Sequence, residues 1–341
     1  MTYLSFIKRK QIRAELENLG PKNNIMSEFS YIDKYLKPLA GESGLDLSDD
    51  IALLAQDKNY ACSSDIIVEG THFLENTEPR KIAQKLLAVN LSDLAAKALT
   101  PEHYMLNLSL NDFSEGWFKE FCVGLKIMQD QYNFKLIGGD TTKTSGNIVV
   151  SATIFGSYQD NFIPRNNCQD GDLIWHSGFI GSAYLGLKLC QGKLTAKKTA
   201  QDKLCRNYEL PEPRLALQNI LLNYAHSALD ISDGLLQDLE HLLKFNNFGA
   251  NIDLAKISVA LETKAICQEH DINLAELLTA GDDYEILFTS KAEHQADILN
   301  AAKQLSFPVS LIGKVNNNGK LSFTNAPDSF SIPDNLGYKH H

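Results

Sequence analysis

No apolar run in this 341-residue chain approaches the eighteen or so residues that a membrane-spanning helix needs. The six cysteines (Cys62, Cys122, Cys168, Cys190, Cys205 and Cys267) are far apart, with no C-x-x-C pair, and read as thiols in a reducing cytosol. Basic charge is scarce. With 32 Lys and Arg against 42 Asp and Glu, the formal net charge is −10, which argues against a broad nucleic-acid surface. The N-terminus places Leu4, Phe6 and Ile7 before Lys8-Arg9-Lys10, the reverse of a secretory signal, so a cytoplasmic protein is expected. Familiar nucleotide motifs are missing too. Gly186 to Gly192-Lys193-Leu194 is one residue too long for a P-loop and has Leu where Ser or Thr belongs. There is no G-x-G-x-x-G before a helix, no kinase H-R-D or D-F-G, and no G-x-S-x-G. Nucleotide binding, if present, must be dominated by metal.

What the chain does have is acidic motifs set beside apolar runs: Ser48-Asp49-Asp50, Ser63-Ser64-Asp65, Asn90-Leu91-Ser92-Asp93, Gly138-Gly139-Asp140-Thr141-Thr142 and Asp230-Ile231-Ser232-Asp233-Gly234. A sixth is Gly281-Asp282-Asp283-Tyr284-Glu285. Buried carboxylates cost several kcal/mol unless a cation or hydrogen-bond donors compensate them. Few basic residues sit inside these motifs, so the compensator indicated is a hard cation such as magnesium, which in turn points to a phosphate-bearing substrate. Each motif has a plainer reading. Gly138-Gly139-Asp140 fits an ordinary turn between strands, and 281–285 a solvated turn. Asn90 and Asp93, three apart on one helix face, suit either a buried hydrogen bond or a ligand. Asp230–Gly234 fails as an EF-hand, with Gly at position 5 and His241 at position 12; a strand-to-helix turn fits better, with Ser232 or Asp233 able to cap the helix.

The hydrophobic pattern predicts strands at 51–54, 60–63, 66–68, 104–110, 135–137 and 148–158, with helices at 79–98 and 114–131, the latter capped by Ser114. Beyond a lapse in periodicity near 163–167, strands are predicted at 173–176, 228–231, 285–289 and 309–315. Helices are predicted there at 183–189, 214–225, 234–244 and 294–305. Residues 1–27 read as a dispensable extension, 28–162 as one domain and 163–341 as a second. Both halves mix α and β without a strict βαβ rhythm.

Taken in order, Ala88–Ala96, Leu136–Thr142, Leu229–Leu235 and Gly281–Glu285 resemble the thiamine-monophosphate kinase family, from about Glu28 to Tyr338. That family lies within the ATP-binding group of aminoimidazole ribonucleotide synthetase and selenophosphate synthetase. The resemblance implies a two-domain α/β and α+β fold like that of aminoimidazole ribonucleotide synthetase. The N-terminal domain would form a dimeric sheet or barrel, and the C-terminal domain would be α+β. It implies ATP-dependent, direct in-line phosphorylation of thiamine monophosphate to thiamine diphosphate by a homodimer, with several Mg2+ ions and no covalent nucleophile. By the resemblance, Asp50, Ser63, Ser64, Asp65, Asp93, Asp140, Asp230 and Asp233 would hold metal, with Asp93, Asp140 and Asp230 essential. Gly139, Asp140, Arg165 and Ser232 would contact ATP; His72, Asp282 and Tyr338 would contact thiamine monophosphate. Three positions depart from the family pattern: Ser48 replaces a Gly, Lys143 an Arg and Asp282 a Glu. Two other readings stay open, a related ATP-dependent synthetase with another acceptor and a calcium-stabilised binding protein.

Overall fold

The structure is a computed structural model that describes residues 28–47, 52–111, 114–327, 330–331 and 335–338. Asp50, Ser48 and the extension at 1–27 lie outside the described residues. The first unit runs β1 (Asn59–Val68), α1 (Pro79–Ala96), β2 (Thr100–Leu110), α2 (Glu115–Tyr132), β3 (Lys135–Lys143) and β4 (Val149–Tyr158). Its sheet has the order β1-β4-β2-β3. Only β2 and β3 are parallel, since α2 carries the chain back between them. Pro79 begins α1, where its missing N–H costs nothing. Ser114 caps α2 by accepting from the Trp117 N–H at 3.3 Å.

Both helices cover one face of this sheet. Leu86, Leu91, Phe118, Phe121 and Leu125 pack in one core with Tyr104, Leu106, Leu108, Val150, Ala152 and Ile154. The opposite face is bare: Ile66 is 55% and Met105 37% exposed, and Cys62 is exposed beside them. The far end of α1 enters another core, where Ala95 and Ala96 meet Trp175, Leu217, Ala228 and Phe288. A helix packed between two sheets is apolar on nearly every side, so the few polar residues on α1 that are buried stand out.

The second unit continues with β5 (Leu173–Ser177), α3 (Ser182–Cys190), α4 (Lys198–Glu209), α5 (Gln218–Tyr224), β6 (Ala225–Asp230) and α6 (Leu235–Lys244). Then follow β7 (Gly249–Asp253), α7 (Leu261–Glu269), α8 (Leu274–Leu278), β8 (Ile286–Ser290), α9 (Gln295–Gln304), β9 (Val309–Asn316) and β10 (Leu321–Thr324). The six strands are ordered β10-β7-β9-β5-β8-β6, antiparallel except for the β10–β7 pair.

Two sequence expectations change. Of the strand predicted at 51–54, the described residues 52–54 are irregular, with Leu53 and Leu54 exposed rather than packed. The strands predicted at 60–63 and 66–68 are one, because Ser64 and Asp65 pair with Thr153 and Ala152 without a break. Helices α4, α7 and α8 and strands β7 and β10 were not predicted. In α4 only Leu204 and Tyr208 are buried, too few to make a periodic signal.

Candidate active site

Strand alternation sorts the Ser63-Ser64-Asp65 motif between the two faces of the sheet. Ser64 points to the bare face, its hydroxyl 3.1 Å from the Ala152 carbonyl and 2.9 Å from the Thr153 hydroxyl. Ser63 and Asp65 face α1. Asn90 clamps helix to strand: its Oδ1 accepts the Asp65 N–H at 3.1 Å and its Nδ2 donates to the Leu86 carbonyl at 2.8 Å. Of the polar pair on this helix, Asn90 is therefore the buried hydrogen bond. Asp93, one turn later, accepts the Ser63 hydroxyl and faces the cleft.

From the other unit, the end of β6 delivers Asp230 to the same place. Burial and the charge of Asp93 raise the Asp65 carboxyl from 3.8 to about 7. Burial and then Asp93 also push Asp230 well above the ordinary carboxylate range. None of the ion pairs among the described residues involves these three carboxylates. Lys97, the cation nearby, gives its ammonium to the Ala228 carbonyl at 2.5 Å, and burial and Arg165 lower it to about 8. Ser92, fully buried on the same turn as Asp93, turns its hydroxyl toward Asp230. Hard oxygen donors and negative charge without an ion-pair partner together fit a magnesium-type cation.

The three carboxylates stand in a cleft of about 1180 Å³ between the two units. Its walls include His72, Ser232, Asp233, Asp282, Tyr284 and Tyr338. The turn after β6 and the 281–285 loop are zipped together. Asp282 N–H donates to the Ser232 carbonyl at 2.9 Å, Tyr284 N–H to Ile231 at 2.8 Å, and Ile231 N–H to Glu285 at 2.7 Å. A Cβ on Gly281 would meet the Ser232 carbonyl at 2.2 Å, so this approach requires glycine. Asp282 and Tyr284 hold φ of +71° and +49°, so both carry side chains on left-handed backbone.

Of the three carboxylates in this group, only Asp282 lines the cleft. Asp283 is buried, accepting the Gly181 N–H at 2.7 Å and the Ala183 N–H at 3.4 Å at the start of α3. That burial raises its carboxyl to about 8. Glu285 takes the Arg214 guanidinium fork at 2.8 and 2.6 Å and the Ser177 hydroxyl at 2.6 Å. Tyr338 is tied to the turn after β6, its N–H donating to the Asp233 carbonyl at 2.9 Å and its carbonyl accepting Gln237 at 3.1 Å. Helix α6 is not capped by Ser232 or Asp233. Gly234 occupies the cap position, and Asp238 reaches back to the Asp233 and Gly234 N–H groups at 3.0 and 3.1 Å.

Asp140 is not part of this gathering. It lies on β3, and its row runs through Asn107 and Ser151 to Ile66, so three strand spacings, about 14 Å, separate it from β1. Gly139 has φ +148° and would place a Cβ 1.7 Å from the Leu106 carbonyl, so its glycine is needed by the sheet itself. Arg165 is exposed beside the seam, where Pro164 accepts the Ala228 N–H at 3.2 Å. Sequence reasoning missed Lys85, Lys97, Tyr208 and Asp238. For Lys85 a signal existed: one basic residue inside the apolar stretch of α1.

Sheet, seam helix and a carboxylate-lined cleft define a protein of the AIR synthase related class. The N-terminal-domain model of that class matches residues 48–158 and the C-terminal-domain model residues 169–324. Within this class, the thiamine-monophosphate kinase of Haemophilus influenzae is 36% identical over 303 residues, covering 85% of this chain and 90% of the relative. The crystal structure of thiamine-monophosphate kinase from Stenotrophomonas maltophilia superposes with a TM-score of 0.73 at 31% identity, over 82% of this chain and 90% of that one. AaThiL complexed with AMPPCP and TMP superposes with a TM-score of 0.75 at 25% identity, over 95% of this chain and 100% of that one. The chain belongs to the thiamine-monophosphate kinase family.

Proposed function

We propose that the chain transfers the γ-phosphoryl group of ATP directly to thiamine monophosphate, giving thiamine diphosphate and ADP. The observation that carries this reading is the meeting of Asp65, Asp93 and Asp230 at the seam, in one cleft with His72, Asp282 and Tyr338. Family membership, and a relative held with AMPPCP and TMP, support it.

Asp65, Asp93 and Asp230 would hold magnesium, with Ser63 beside them, Asp233 at the turn after β6, and Asp50 and Ser64 as further candidates. Bound magnesium supplies charge neutralisation between two phosphorylated anions and fixes their in-line approach. Asn90 holds β1 against α1 and so fixes the spacing of Asp65 and Asp93. The turn after β6, zipped to the 281–285 loop, fixes Asp230 and Ser232 relative to Asp282. Arg165 at the seam offers a guanidinium fork to the nucleotide phosphates. Asp282 offers negative charge to the thiazolium, and Tyr338 a ring face. The acceptor phosphate is already a competent nucleophile at neutral pH, so no side chain need act as a strong base.

The bare sheet face fits a homodimer. Pairing through these faces would bring Asp140 and Gly139, on edge strand β3, to the partner's edge strand β1, which explains why Asp140 is remote from Asp65 within one chain. Division at 162/163 and a dispensable 1–27 segment belong to the same reading. Among the described residues no helix is long and apolar enough to cross a membrane; a cytoplasmic location is part of the proposal. The test is incubation with ATP, Mg2+ and thiamine monophosphate, separating products by chromatography. Thiamine diphosphate and ADP in equal amounts are expected. ADP without thiamine diphosphate would sink the reading.

A further inference from the structure

Lysine is almost never fully buried unless its charge is paired. Lys85, in the middle of α1, is 2% exposed. Its ammonium donates to the His72 carbonyl at 2.8 Å and to the Asp282 carboxylate at 3.2 Å. It also lies 3.9 Å from the centre of the Tyr208 ring, a cation–π contact. Tyr208 in turn donates its hydroxyl to the same His72 carbonyl at 3.4 Å. The second Asp282 oxygen accepts the Tyr284 hydroxyl at 3.3 Å. A single nitrogen thus ties the loop after β1, the 281–285 loop and helix α4 together. His72 and Asp282 come from different units, and the Lys85 ammonium touches both.

We propose that Lys85 is a positioning residue for the acceptor end of the cleft, holding His72 and Asp282 at the separation that thiamine monophosphate requires. This rests on the functional reading above. The shorter Asp282 makes the tie more consequential. Its carboxylate, on a left-handed backbone, is held between Lys85 and Tyr284 rather than free to sample rotamers. Without the ammonium, Asp282 would keep only the Tyr284 hydroxyl of these two partners and turn toward water, and the His72 carbonyl would lose its shorter donor, leaving the Tyr208 hydroxyl at 3.4 Å. The carboxylate nest, on the next turns of α1, keeps its own contacts through Asn90 and Ser63. The nucleotide end should therefore be spared.

The experiment is a double-mutant cycle of Lys85→Met and Asp282→Asn, measuring KM for thiamine monophosphate and for ATP separately. Lys85→Met should raise the thiamine-monophosphate KM about 10-fold and leave the ATP KM within about 2-fold. In the Asp282→Asn background the same substitution should add little, and Lys85→Arg should recover part of the loss. Equal rises in both KM values, a fall in kcat alone, or additive effects would overturn the proposal. Should Lys85→Met fail to fold, Tyr208→Leu carries the test by removing the ring beneath the ammonium. A rise of about 3-fold confined to the thiamine-monophosphate KM supports the proposal, and an unchanged or unselective pattern overturns it. A wild-type chain that makes no thiamine diphosphate defeats the functional reading and this one together; a productive wild type with unselective variants defeats this one alone.

Discussion

Replacing Asp65 by Asn should stabilise the metal-free protein at neutral and alkaline pH while removing its response to magnesium. In the folded chain the Asp65 carboxyl is raised from 3.8 to about 7, first by burial and then by Asp93. A carboxyl whose folded pKa lies above its unfolded value favours the native state in acid. That advantage is complete below the unfolded value and is lost as pH rises toward the folded one. Between pH 4 and 8 the loss is about 4 kcal/mol, at 1.36 kcal/mol for each pH unit between the two values. For a chain of this size that corresponds to a fall of about 6 °C in Tm. The Asn variant keeps the shape and lacks the ionisation, so its chelated protein should melt several degrees above wild type at pH 8 and match it near pH 4. Adding Mg2+ at pH 8 should raise the wild-type Tm and move the variant much less. Thermal unfolding by circular dichroism in EDTA and in Mg2+ reads all four cases. If wild type and variant show the same pH profile without metal, the view of Asp65 as an uncompensated carboxylate is wrong.

Sharing of the site between two copies has its own signature. Asp65→Asn and Asp140→Asn should each be inactive alone, yet mixed after reversible dissociation they should regain about a quarter of wild-type sites, since half of randomly formed dimers are mixed and each then holds one intact site. No recovery would place Asp140 in its own chain's site or outside any site. Tyr338→Ala should raise the thiamine-monophosphate KM about 10-fold and the ATP KM little, and the reverse pattern would misplace the acceptor. Deleting residues 1–27 should leave turnover within about 2-fold and the Tm nearly unchanged; a large loss in either would make the segment part of the fold.

Much of this site is legible in the order of residues, because metal-type carboxylates next to apolar runs are rare without a reason. Asp65, Asp93 and Asp230 stand out for that cause, and the structure brings all three into one cleft. The roles within a motif are harder to read. Asn90 and Asp93 look equivalent on a helix, and only the position of β1 makes one a clamp and the other a site residue. Asp283 and Glu285 share a motif with Asp282, but helix α3 and Arg214 claim them. Local pattern placed β2 and β4 closely, since alternation is strong where helices cover one face, but it split β1, stopped β3 at 137 and expected a strand at 51–54 where the described residues are irregular. It failed for α4, which buries only Leu204, in a small core with Leu185 and Leu189 of α3, and Tyr208, against His72 and Lys85. It passed over Lys85 for a related reason, since its partners lie 13 and 197 residues away.

The central claim is direct phosphoryl transfer in a cleft built on Asp65, Asp93 and Asp230. It is tested most directly by a single turnover with ATP labelled in the γ-phosphoryl group and unlabelled thiamine monophosphate. The label is expected in the terminal phosphate of thiamine diphosphate, with none on the protein, and no transfer by Asp230→Asn despite an unchanged fold. Label in inorganic phosphate, label on the protein, or full transfer by the Asp230 variant would contradict the account.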